Sequence, residues 1–245
     1  CAKKEPKPLR TEPWLAHPPA SANASGNGDA ALPLTRYRLD ERSLIRFELP
    51  TKRGALSGSV TRVSGELSVD LSDLTRTRGS IRADLGSLEI HAASEGSDAT
   101  LLARARAALE LPADSGAPAA FASFELTSIE DAAPTQIEPA PERASDSGPA
   151  AAFIRRARLT ANGNLLLHGF RVARRATLSL EFGFAEDRQL PQSVLIRTRA
   201  PFVISLETHA VVALAPENAG SSSATPPAKA REVRVSVELY AIKTN

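Results

Sequence analysis

The chain holds a single cysteine, and it is residue 1 of 245. Disulfides, thiolate metal clusters and paired redox motifs are therefore excluded by count. Aromatic residues are also few, eight Phe, two Tyr and one Trp, too few for a platform on which bases or sugars stack. No apolar run approaches the ~20 residues that a helix needs to cross a bilayer. Neither sign of charge dominates: 30 Lys and Arg face 28 Asp and Glu, a net of +2. A dedicated nucleic-acid binder concentrates basic residues on one face, so no nucleic-acid partner is expected.

Catalytic patterns are missing as well. His17, His91, His168 and His209 have no neighbour at metal-ligand spacing. There is no G-x-S-x-G elbow and no Gly-rich phosphate loop before a helix. The acidic pairs Asp40–Glu41 and Glu130–Asp131 are adjacent residues that read as solvated loop ends. His168 falls inside a hairpin and reads as a structural histidine near a turn. No catalytic residue, metal or cofactor is expected, and the chain reads as a non-enzyme.

What is present begins with Cys1. A mature chain that starts at Cys is what processing of a bacterial lipoprotein precursor leaves, the signal peptide having been removed. Acyl chains on that Cys give a stable membrane anchor at roughly 0.8 kcal/mol per buried CH₂. The expectation is a lipid-anchored protein at the periplasmic face of a bacterial membrane. Ala2 lacks the acidic character that retains some lipoproteins at the inner membrane, which leans toward the outer one. Residues 2–32 carry Pro, Ala, Ser, Asn and Gly with almost no aliphatic pattern and read with Cys1 as a disordered tether, 1–32, ahead of one domain, 33–245. A flexible chain of about 30 residues spans roughly 30 Å.

The ordered sequence is mostly strand. Tyr37 and Leu39 open it, then Ile45, Phe47 and Leu49 alternate until Pro50, which is expected to end the strand. Val63, Gly65, Leu67, Val69 and Leu71 share one face of the cleanest alternation, and residues 79–90 repeat it with Ile81, Ala83 and Leu85. Residues 98–111 switch to helical spacing with Leu101, Leu102, Ala105, Ala108 and Leu109, Asp98 as candidate cap and Pro112 as terminator. Strand pattern resumes at 120–129 with Phe124 and Leu126. The stretches 131–150 and 215–230 are low-complexity and read as loops, the first as a disordered surface insertion. Between them, Leu165 and Leu167 share a face, and Leu178, Leu180, Phe182 and Phe184 recur at period two. Strands follow at 193–199 and 202–213, and Val233, Val235, Val237 and Leu239 form the last. About eight strands in series with one inserted amphipathic helix point to an all-β antiparallel barrel or sandwich. A last strand returning to pair with the first favours the barrel.

Several of these segments together resemble a known family. Tyr37-x-Leu39-Asp40-x-x-Ser43-x-Ile45-x-Phe47, then Val63-x-Gly65-x-Leu67-x-Val69-Asp70, resemble the opening strands of YceI-like domains. Gly163-Asn164-Leu165-x-Leu167-His168-Gly169 with Val172 and Ala176-Thr177-Leu178 is similar to that family's hairpin. The resemblance spans roughly 37–242. It implies a lipocalin-like antiparallel barrel with a helix at its side, in a periplasmic protein whose interior holds an isoprenoid chain or another amphiphile. The basic run Arg171, Arg174 and Arg175 departs from the pattern, replacing the usual Pro.

On this reading the ligand is a lipid or isoprenoid, and the apolar lining is expected from Ile45, Phe47, Val63, Leu67, Val69, Ile81, Leu85, Phe124, Leu126, Leu165, Leu167, Leu180, Phe182, Val235 and Val237. Branched aliphatics suit a prenyl or acyl chain, which asks for apolar surface and little hydrogen bonding. They equally suit a barrel filled by its own side chains, leaving a structural or partner-docking envelope lipoprotein as the alternative. Arg171, Arg174 and Arg175 are candidate head-group contacts, because guanidinium matches phosphate geometry, or simply a wet strand face.

Overall fold

The computed structural model describes residues 34–51, 54–91, 98–111, 120–139, 153–185, 190–209, 211 and 232–244. The expected tether with Cys1, the 215–230 loop and residues 140–150 lie outside them.

Twelve strands form one antiparallel sheet: β1 (Thr35–Leu39), β2 (Leu44–Thr51), β3 (Gly54–Val60), β4 (Val63–Val69), β5 (Arg78–Asp84), β6 (Leu88–His91), β7 (Phe121–Ala133), β8 (Phe153–Leu167), β9 (Phe170–Phe184), β10 (Ser193–Thr198), β11 (Phe202–Ser205) and β12 (Glu232–Lys243). Four pairs are single staves broken by a bend. The continuous β12 pairs with β1 through Tyr37–Lys243 and Leu39–Ala241, and with β2 through Ile45–Val237 and Phe47–Val235. On its other side it pairs with β10 and then β11. In the same way β3 and β4 continue one another against β2 and β1, and β5 and β6 against β4 and β3. β7, β8 and β9 run unbroken. The result is an eight-stave up-and-down barrel, closed where the last strand meets the first, which removes the open edge.

The residues that carry the family resemblance build this frame. Ser43, buried at the bend of the first stave, accepts from Tyr240 N at 3.0 Å and donates to Tyr240 O at 3.1 Å. It thereby ties the bend to β12 where no strand ladder does. The Tyr37 hydroxyl donates to Pro191 O at 3.0 Å, joining β1 to the loop before β10, and burial pushes its pKa far up. Asp70 ends β4, with its Oδ1 accepting from the backbone of Ser72 (3.0 Å) and Asp73 (3.1 Å) and from the Ser72 hydroxyl.

Asp70 yields a pH prediction. Burial raises its carboxyl pKa, but the hydrogen bonds from Ser72 and Asp73 and the charge of Arg76, 3.5 Å away, outweigh that and hold it below the usual value. A group whose pKa is lowered by folding stabilises the fold above its unfolded value, about 3.9, and loses that contribution as pH falls through the folded value. Asp70→Asn should cost about 1–3 kcal/mol at pH 7. In urea melts the gap to wild type should stay constant from pH 7 to 5 and shrink below about pH 4.

Several boundaries differ from expectation, each for a local reason. β2 runs one residue past Pro50, beyond its last pair with β12 at Glu48, so that side of the strand asks nothing of the missing N–H. Leu85–Ser87 is a 3₁₀ turn between β5 and β6, with Asp84 Oδ1 accepting from Gly86 N. The helix α1 (Asp98–Ala108) has Asp98 as its first residue rather than as the cap ahead of it. α1 packs beside β6 with Ala105 buried. The strand expected over 202–213 is only the four residues of β11, followed by a 3₁₀ turn, Glu207–His209.

The largest correction concerns 131–150. Its first residues extend β7 to Ala133. Leu74 N then donates to Thr135 O at 2.8 Å and Ile137 N to Leu71 O at 2.7 Å, which carries Ile137 into the core at 5% exposure. Residues 131–139 are therefore a folded strap over the segment after β4.

Candidate binding cavity

The inward faces of the staves enclose a cavity of about 230 Å³. Its existence follows from side-chain size. Gly79 and Ala83 on β5, Ala122 on β7, Ala161 on β8 and Ala176 on β9 all face it. Ala83 pairs directly with Ala122, and Ala161 with Ala176. Small residues on four neighbouring staves leave the axis unfilled, while Leu, Ile, Val and Phe elsewhere make its wall hydrocarbon. Leu109 and Leu111, from the end of α1 onward, add to the wall.

Every residue expected to line the interior does so except Val63 and Phe182. Both belong to the packed core with Tyr37, Leu39 and Val194. Phe182 is fully buried because at that end of β9 neighbouring large side chains fill the barrel. Val63 instead borders an outer cleft that includes Arg62 and Asp84. The two share the inward face but not the open space behind it.

The three arginines separate by strand parity. Arg174 is in phase with Ala176, Leu178 and Leu180 and lines the cavity. Arg171 and Arg175 lie on the outer face. Arg171 pairs with Glu125 at 3.4 Å, and Arg175 with Glu130 and Asp131, each at 3.3 Å. Their candidacy as head-group contacts is thus corrected: their partners are carboxylates of β7, reached across the intervening β8. The signal was available, since 174 differs from its neighbours by one step in a period of two.

One end of the cavity is polar. Leu167 and Phe170 pair across the two-residue turn His168–Gly169, where φ is +51° and +81°. Positive φ at both positions is the tight hairpin geometry that matches strand twist, and it explains Gly169. His168 lines the cavity there with Nε2 buried and unbonded. His209, wholly buried, stands behind it with the Leu167 and Phe170 carbonyls near its ring, though neither meets it at good hydrogen-bond geometry. Burial, helped by the charges of Arg174 and His168, holds the His209 pKa below the usual value against the pull of those carbonyls. The sequence reading gave His209 no role, as no local spacing signals it. His91 is engaged elsewhere, with Nε2 2.9 Å from Ser59 Oγ.

Among the described residues no cluster of His, Cys, Asp and Glu could hold a metal ion, and no helix is long and apolar enough to cross a membrane. No family model matches the sequence, and no curated protein matches it. Solved structures do. A polyisoprenoid-binding domain from Saccharophagus degradans, implicated in plant cell wall breakdown, is 13% identical, with 86% of this chain and 99% of that one covered at a TM-score of 0.48. BcnA of Burkholderia cenocepacia is 11% identical, with 82% and 98% covered at a TM-score of 0.50. The likeness is one of fold: the chain is an all-β, lipocalin-like closed barrel with one helix at its side, the architecture that its YceI-like sequence segments imply.

Proposed function

We propose that this barrel is a binding module that holds a long-chain amphiphile, an isoprenoid or acyl lipid, in its interior without catalysing a reaction. The observation that carries the reading is the cavity itself, about 230 Å³ walled by aliphatic side chains. An apolar void of ~150 Å³ already admits benzene. The present one falls just short of the ~300 Å³ at which ligand clefts begin, a size that suits one narrow chain. A barrel filled by its own side chains, the alternative, has no use for the alanines and glycine that face this space. The same proposal takes Cys1 as the site of an acyl anchor and 2–32 as the tether, with the domain at the periplasmic face of a bacterial membrane, the outer one favoured. These rest on the sequence alone.

The test is native mass spectrometry on the full chain expressed in a bacterial host, before and after solvent extraction. The expected spectrum shows a prenyl or acyl adduct that extraction removes and incubation with the lipid extract restores. A chain that neither carries nor takes up such a ligand sinks the reading. Labelling with an alkynyl fatty acid reads out Cys1 in the same preparation.

A further inference from the structure

Resting on the reading of the barrel as an amphiphile-binding module, we propose that Arg174 and His168 form the head-group end of the cavity and select chains with a single acidic head, a carboxylate or phosphate monoester, over the neutral alcohol of the same chain.

Arg174 is the one charged side chain other than histidine among the described residues that line the cavity, and no Asp or Glu is among them. Its outward neighbours Arg171 and Arg175 each hold a carboxylate. Arg174 has none at ion-pair distance among the described residues. Nη1 donates to the Ala173 carbonyl at 3.2 Å and Nη2 to Thr208 Oγ1 at 3.3 Å, both neutral acceptors, while Nε is buried and donates to nothing. A guanidinium keeps its charge in proteins, and a charge against an apolar wall is costly unless paired. His168 Nε2 is a second buried polar atom without a partner on the same wall. Both groups lie near enough to His209 to shift its titration, which places them in one cluster. Buried polar groups are nearly always bonded, so two orphans beside an uncompensated cation describe a seat for an anion that brings several acceptor oxygens. A neutral hydroxyl could satisfy one orphan and leave the charge unmatched.

The topology gives the orientation. β5 runs parallel to β8, so Thr77, just before β5, lies at the barrel end opposite the β8–β9 turn. Thr77 Oγ1 is the other buried polar atom of the lining without a partner. Its hydroxyl can donate one hydrogen bond but brings no charge to balance an anion. The head belongs beside Arg174, with the tail running toward Thr77.

The experiment measures affinity of the solvent-extracted full chain for two matched pairs, oleate against oleyl alcohol and farnesyl phosphate against farnesol. Wild type should prefer the acidic member of at least one pair by about tenfold, the size of one charge-assisted hydrogen bond, and the pair that discriminates tells carboxylate from phosphate. Arg174→Gln should remove that preference, the acid losing about tenfold more affinity than the alcohol, and Arg174→Lys should keep most of it. Equal binding of acid and alcohol by wild type overturns the head-group site and leaves the amphiphile reading intact. So does an Arg174→Gln protein that weakens both members alike. Wild type that binds none of the four overturns both.

Discussion

Ala176→Phe should abolish ligand uptake in a protein that still folds. Ala176 lies on the cavity wall opposite no large group of its own stave pair, since its partner across the β8–β9 ladder is Ala161. A ring placed there occupies the space a tail would use. If it displaces about four methylenes, at ~0.8 kcal/mol each, the loss is about 3 kcal/mol, or roughly two hundredfold in affinity. Filling an existing void is not the overpacking of a dense core, which typically costs 1–3 kcal/mol; here the ring meets empty space and gains burial. The urea midpoint should therefore stay within about 1 kcal/mol of wild type or rise, while uptake of a fluorescent fatty acid disappears. A folded Ala176→Phe protein that binds such a probe as wild type does would locate the ligand elsewhere than the barrel.

The same alanines show where reading the sequence stops. Alternation made the strands visible and sorted the residues of β4, β8, β9 and β12 into two faces, because burial on one side of a pleat imposes period two whatever the neighbours are, but it does not by itself say which face turns inward. Closure could be anticipated from a last strand returning to the first. Large aliphatics mark the wall in the sequence, but what opens a cavity is the small residues at the same parity: Gly79, Ala83, Ala122, Ala161 and Ala176. Parity likewise divides Arg174 from Arg171 and Arg175, and composition alone treats the three as one basic run. The strap over 131–139 was hidden because one buried residue, Ile137, and two backbone hydrogen bonds hold it, and a single anchor has no period. His209 was invisible for a related reason. Its neighbours come from a turn some forty residues earlier in the chain, and only the closed barrel brings them together.

Depth along the barrel is the other quantity that parity does not encode, and Phe182 tests it. By period it belongs with Leu178 and Leu180, which line the cavity, yet it is wholly buried against the core beside Tyr37, Leu39 and Val194. Val194 is its direct cross-strand partner. Removing the ring leaves a new void among side chains already fixed by β1, β10 and β12, so the surroundings have little room to collapse. Phe182→Ala should cost about 3–5 kcal/mol, a Tm drop of about 6–20 °C for a domain of this size. Leu180→Ala, two residues away, enlarges a space that exists and loses contacts only on its packed side, so its cost should fall toward the lower end of the ~2–5 kcal/mol range. Because Phe182 does not touch the cavity, affinity for a fatty-acid probe below the melting range should stay within about twofold of wild type. A Phe182→Ala protein that loses less than about 1 kcal/mol, or whose affinity for the probe changes tenfold, would move this ring from the packed end of the barrel into the wall of the cavity.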